Sequence, residues 1–161
     1  AVDAVEYTVS HGGGLALYAV ARSRRVGVDV EPVRVIADAD GLVDRFFSVG
    51  EGAAYRALPA ADRPAAFAAC WTRKEAFVKA LGDGLSYPLD AFDVTVGPDR
   101  PAALLRLGGD PAAAARWRLR ALPVGAGYAA TVAAEAPPCH LLCLDASARA
   151  RREPTALPLP T

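Results

Sequence analysis

The chain has 161 residues, with 18 Lys plus Arg against 18 Asp plus Glu, so it reads as one domain, or one large lobe, able to bury a proper core. Its balanced charge argues against bulk nucleic-acid or polyanion binding, and no apolar run is long enough to span a bilayer. Three cysteines, an odd count, predict no disulfide framework and a reducing, cytoplasmic setting. In chain order, residues 15–21 and 26–31 are apolar, β-prone runs joined by Arg22-Ser23-Arg24-Arg25, which predicts a hairpin. Leu42, Val43, Phe46 and Phe47 then fall at helical spacing, and Ser48 with Glu51 forms a capping box that opens a second short helix. Asp62 reads as the N-cap of a long helix with Pro64 in its first turn, and Gly82 and Gly84 end it. Strand-like runs follow at 92–96, 103–107, 117–122 and 127–133, with 140–144 as a further candidate, punctuated by Gly and Pro. Residues 148–161 are rich in Arg and Pro and predict a flexible tail, leaving 1–147 as the folded domain. Grouped helices and strands mostly in meander order predict an α+β fold: a small antiparallel sheet packed on one long and one or two short helices.

The long helix carries a fault. Phe67, Cys70, Trp71, Phe77, Val78 and Leu81 recur with the period of a core-facing stripe. At about 100° per residue, Lys74 falls near the centre of that stripe, with Glu75 and Lys79 along one flank. A buried ammonium is costly unless an anion meets it. This helix is therefore expected to point a charge at a ligand or a carboxylate inside the fold.

In Val28-Asp29-Val30-Glu31 the alternation sends both carboxylates to one side of a strand. A solvated strand face explains such a pair, and so does a hard cation such as Mg²⁺. Glu75 adds a third carboxylate; its plain alternative is an i,i+4 surface pair with Lys79. Three carboxylates and two lysines together suit a Mg²⁺-bound diphosphate, carboxylates for the metal and ammonium groups for the oxygens. Ser10-His11-Gly12-Gly13-Gly14 reads either as a glycine-rich loop offering N–H groups and an imidazole to phosphate or as an ordinary turn. A lipase oxyanion hole would need a G-x-S-x-G elbow, which the chain lacks. Cys139, His140 and Cys143 lie close together, but no second ligand pair exists to close a zinc site.

Taken in order, these pieces resemble the 4′-phosphopantetheinyl transferases of the surfactin-synthetase-activating type. The resemblance rests on Val9-Ser10-His11, Gly27-Val28-Asp29-Val30-Glu31, Arg45-Phe46-Phe47-Ser48 with Glu51, and the run from Trp71 through Arg73-Lys74-Glu75 to Lys79, Gly82-Asp83-Gly84-Leu85 and Pro88 to Phe92. It covers about residues 7–133. It implies transfer of the phosphopantetheine arm of coenzyme A to a serine of an apo acyl or peptidyl carrier protein, with 3′,5′-ADP released. By the same resemblance Asp29, Glu31 and Glu75 surround Mg²⁺, Lys79 and Lys74 contact phosphate, and Ser10 and His11 lie near the 3′-phosphate of coenzyme A. Glu75, or a metal-bound water, takes the serine proton.

The segment from about Val33 to Phe47 is implied to dock the carrier, with Val35, Ile36, Leu42 and Phe46 as contacts; core packing is the alternative for Leu42 and Phe46. Members of this branch have two similar lobes, and the match begins at their junction. With no methionine in the sequence, the expectation is one lobe of a pseudo-dimeric fold, whose partner is a missing N-terminal lobe or a second chain. Two other readings stand beside this one: a non-catalytic carrier-binding module, and a different Mg²⁺-dependent phosphoryl enzyme such as a nucleotide hydrolase. The Ala- and Arg-rich composition hints at polyketide or nonribosomal peptide synthesis.

Overall fold

The computed structural model describes residues 4–82, 87–108, 110–136 and 140–146; Gly84, Cys139 and the predicted tail lie outside them. In chain order come β1 (Val5–Gly12), β2 (Leu15–Arg22), β3 (Val26–Pro32), α1 (Ala39–Phe46), α2 (Val49–Arg56) and α3 (Arg63–Leu81). A short 3-10 turn at Leu89–Ala91 leads into β4 (Phe92–Val94), β5 (Leu104–Leu107), α4 (Pro111–Ala115), β6 (Trp117–Ala121) and β7 (Tyr128–Glu135). The fold is α+β, as expected, and every strand pairing in it is antiparallel.

The expected hairpin between 15–21 and 26–31 is not there. β2 pairs with β1 instead, across Gly13 and Gly14. Both glycines have positive φ, +56° and +90°, as a two-residue hairpin turn of the I′ type demands. Ser10 and His11 therefore sit in a strand rather than in a glycine-rich loop. The Arg-rich connection after β2 carries the chain into another sheet, where β3 pairs with β7 and β7 with β6. That long-range pairing departs from a simple meander. Residues 140–146 form neither strand nor helix, and α4 arises where only a Gly/Pro break was read.

Helix α3 is the axis of the core. Its C-cap Gly82 adopts the left-handed conformation at φ 81°, the usual glycine stop. Phe47, Phe67 and Trp71 stack with centroids 5.4 and 5.7 Å apart, and Phe77 meets Trp117 and Phe92 at 5.0 and 4.8 Å. Each buried aromatic of this kind contributes about 1.5–3 kcal/mol. Sheet and helix approach unusually closely at Gly27, where an added Cβ would sit 2.0 Å from the Ala76 carbonyl oxygen. Gly27, Asp29 and Glu31 share a face of β3, so this approach brings both carboxylates up against α3.

Lys74 lies at the centre of the buried stripe, as its phase predicts, and is 0% exposed. Its three N–H donors are all used. Nζ pairs with Glu51 Oε2 at 2.7 Å and donates to the carbonyls of Leu89 and Phe92 at 2.7 and 2.8 Å. Glu51 is equally committed. It closes the capping box with Ser48, and its Oε1 accepts from Val94 N at 2.6 Å. One ion pair thus ties α2, α3 and the start of β4 together. Next to it, Arg73 donates to the carbonyls of Thr95, Gly97 and Arg100 and holds the β4–β5 connection to the helix.

Removing one partner of a buried pair strands the other charge, at a cost of about 3–5 kcal/mol. Lys74→Met should lose that much stability in urea denaturation. Lys74→Met/Glu51→Gln, which neutralises the stranded carboxylate but keeps an amide acceptor, should recover part of it. A loss below about 1 kcal/mol in the single variant would show that the pair does not hold the fold.

Candidate functional site

An open cavity of about 350 Å³ is lined by Val9, Ser10, His11, Asp29, Glu31, Trp71, Glu75 and Lys79. Three elements build it. β3 supplies Asp29 and Glu31 from one face, α3 supplies Trp71, Glu75 and Lys79 at helical spacing, and β1 crosses with Ser10 and His11. Asp29, Glu31, Glu75, Lys79, Ser10 and His11 were all expected at the site, and the fold brings all six together. Lys74, expected on phosphate and among the catalytic and coenzyme-binding residues, is not among them. Its ammonium points into the core, where Glu51 and two carbonyls saturate it. The anion that a buried lysine required is a carboxylate of the fold.

Asp29 is 3% exposed, so the solvated-face reading of the strand does not hold for it. Its Oδ1 accepts from Ser10 Oγ and from Lys79 Nζ, both at 2.7 Å. Its Oδ2 is buried without a hydrogen-bond partner among the described residues. Leaving a carboxylate oxygen so costs free energy unless a cation or a proton meets it. The other two carboxylates are under matching stress. Burial first, and then the Asp29 charge, push Glu31 above its ordinary 4.5, against the pull of Arg34 and Lys79. Burial, Asp29 and Glu31 raise Glu75 above 4.5, and only Lys79 opposes them. Lys79 therefore pairs across to Asp29 rather than serving only as a helical surface partner of Glu75.

The donor set is all oxygen and anionic, which suits a hard divalent cation. The three side chains do not form a closed cage: among the described residues no group of three His, Cys, Asp or Glu side chains converges on one metal position. A hard cation held there would take its remaining ligands from water or phosphate oxygens. Of Cys139, His140 and Cys143, Cys139 lies outside the described residues. Glu31 and Trp71 also border a second cavity of about 340 Å³, lined by Pro32, Arg34, Val35, Ile36 and Leu42 among others. Of the expected carrier contacts, Val35 is 84% exposed, whereas Ile36, Leu42 and Phe46 pack against the core while only partly buried.

Sequence reasoning missed two parts of this arrangement. The capping box accounts for Glu51 locally, yet a lysine on an apolar stripe also demands a carboxylate somewhere. The glycines after Ser10 suggest a loop, whereas the alternation of Val5, Tyr7 and Val9 is the signal for the strand β1 that carries it.

A family model described as the 4′-phosphopantetheinyl transferase superfamily matches residues 25–133. The chain is 38% identical over 98 residues to the 4′-phosphopantetheinyl transferase HetI of Nostoc sp., covering 61% of this chain and 41% of that protein. It is 34% identical over 103 residues to psf-1 of Bacillus pumilus (64% and 43% covered), and 33% identical over 93 residues to Sfp of Bacillus subtilis (58% and 40%). The chain thus spans well under half the length of these relatives. Its fold is similar to that of the holo-[acyl-carrier-protein] synthase of Thermotoga maritima, with a TM-score of 0.50, 19% identity, and coverage of 69% of this chain and 62% of that one. It is also similar to the chain in the Chronobacterium ammoniagenes ACPS-CoA complex, at TM-score 0.50 and 23% identity, over 70% of this chain and 96% of that one.

The crowded carboxylates give a pH signature. A raised folded pKa contributes stability below 4.5 that is lost as pH rises through the raised value. In EDTA, Glu75→Gln should therefore gain on the wild type as pH climbs from about 4 to 7, followed by thermal denaturation, and show no gain at the acid end. A gain that is flat or shrinks with rising pH would contradict the crowding.

Proposed function

The chain belongs to the 4′-phosphopantetheinyl transferase superfamily, and from that premise we propose that it moves the phosphopantetheine arm of coenzyme A to a serine of an apo acyl or peptidyl carrier protein. The observation that carries this reading is the meeting of Asp29, Glu31, Glu75 and Lys79 on one open cavity, with Asp29 Oδ2 buried and without a hydrogen-bond partner among the described residues.

Asp29, Glu31 and Glu75 would hold Mg²⁺, which when bound supplies positive charge to the diphosphate oxygens. Lys79 adds its ammonium on the same side. The carrier serine Oγ forms a bond to the β-phosphorus of coenzyme A, and the bond from that phosphorus to the bridging oxygen breaks. 3′,5′-ADP leaves with the electron pair. The serine proton passes to Glu75 or to a water beside it, since the carboxylate lies on the wall of the same cavity. Such a transfer needs alignment and charge neutralisation more than covalent help, and that is what the cavity is built to give.

In this reading the carrier docks beside the second cavity, over Val35, Ile36 and Leu42, next to the carboxylates. A second lobe or a second chain completes the coenzyme cleft. The hairpin β1–β2 supports this with an outward apolar face, on which Tyr7 is 72% and Tyr18 74% exposed. Polyketide or nonribosomal peptide synthesis and the cytoplasm are the setting such carriers imply; no helix among the described residues is long and apolar enough to cross a membrane.

The test is the intact mass of an apo carrier protein after incubation with the chain, coenzyme A and Mg²⁺ or EDTA, repeated with a second lobe from a relative added. We expect a Mg²⁺-dependent gain of one phosphopantetheine arm. In Asp29→Ala and Glu75→Ala the rate should fall at least about 100-fold while the circular dichroism is kept. No gain in either format, or coenzyme A hydrolysis without a carrier, would overturn the proposal.

A further inference from the structure

The hydroxyl of Ser10 is already engaged within the fold. A serine hydroxyl has one O–H to give. Here that O–H is donated to Asp29 Oδ1 at 2.7 Å, while the oxygen accepts from Val30 N at 3.3 Å. A phosphate oxygen only accepts, and it would find no free donor on Ser10. The residue is held in this place from several directions. It is 6% exposed, and two residues on Gly12 runs so close to β3 that an added Cβ would sit 3.0 Å from the Val30 carbonyl oxygen. Beyond it Tyr128 of β7 donates its hydroxyl to the Gly13 carbonyl. The hairpin is thus strapped to both β3 and β7, and the strap carries Ser10 onto Asp29.

We propose that Ser10 is a positioning residue which, by occupying Asp29 Oδ1 together with Lys79, fixes the carboxylate so that Oδ2 alone is presented to a divalent cation. Two donors on one oxygen and none on the other is an asymmetric state for a carboxylate that is 3% exposed. Without the hydroxyl only Lys79 holds the group, and the terminal torsion of an aspartate is broad and roughly two-fold. The carboxylate then turns toward the ammonium, and Oδ2 no longer waits for the metal. The hairpin sets the geometry of a metal ligand on a different sheet. This inference rests on the cation-binding reading of the cavity.

The experiment uses the whole chain and Mn²⁺ alone as probe, with free Mn²⁺ read by electron paramagnetic resonance. Ser10→Ala should weaken Mn²⁺ binding about tenfold or more, the usual scale for losing an outer partner of a metal ligand. Ser10→Thr, which keeps the hydroxyl and suits a strand, should restore wild-type affinity. A purely structural serine would lower the melting temperature and leave the dissociation constant of the folded protein unchanged. If Ser10→Ala fails to fold, Ser10→Cys, with a weaker donor in nearly the same volume, should show a smaller loss in the same direction. In a second arm, 3′,5′-ADP binding is measured in EDTA, where Ser10→Ala should bind as the wild type does. Weakened nucleotide binding there, with Mn²⁺ affinity intact, would overturn the proposal and return Ser10 to the phosphate. A wild type that does not bind Mn²⁺ would instead sink the cation site itself, and this inference with it.

Discussion

Glu51 and Lys74 meet at 2.7 Å with both side chains out of reach of water, and the rest of the molecule is arranged around that contact. A buried ion pair is not in itself strongly stabilising, because desolvation offsets most of its attraction. What it provides here is registration. Glu51 belongs to the first turn of α2 and also receives Val94 N, while Lys74 reaches the carbonyls of Leu89 and Phe92. Any slip of α3 along its axis would break several charge-assisted bonds at once. The helix is therefore locked, and Trp71, Glu75 and Lys79 are fixed with it.

The two lysines of α3 divide the work. Five residues apart, they lie about 140° apart around the helix, so one faces the core and the other the cavity. Lys74 is consumed by the fold, whereas Lys79, partly exposed, bridges to Asp29 and faces the space where an anion would sit. The opposing wall is brought up by Gly27, whose missing side chain lets β3 lie directly on the backbone of α3. Three carboxylates end up on one cavity, offset by Lys79 and, at Glu31, by Arg34 as well. Such an arrangement is strained without a cation and relaxed with one.

Much of this was legible beforehand because it follows from period and polarity. The phase of Lys74 on the apolar stripe, the shared face of Asp29 and Glu31, the Ser48–Glu51 box and the Gly82 stop all appear as read. What failed was long-range pairing. Residues 15–21 and 26–31 look like neighbours in a hairpin, but strand pairing is decided by turn geometry and sheet packing, and Gly13-Gly14 made the tighter turn. Missing β1 then hid the tie from Ser10 to Asp29. The partner of Lys74 was hidden for the same reason: Lys74 lies 23 positions from Glu51 in the sequence, and no local pattern connects a capping residue to a charge on another helix.

The positions of a cation and of the two lysines in the presence of the coenzyme decide between a metal site at Asp29 and any other arrangement. A crystal of the chain grown with coenzyme A and Mn²⁺, with the metal located by its anomalous scattering, measures this directly. One peak is expected against Asp29 Oδ2, flanked by Glu31 and Glu75, with Lys79 facing the diphosphate and Lys74 still on Glu51. A peak elsewhere, or Lys74 turned out of the core onto phosphate, would contradict this arrangement.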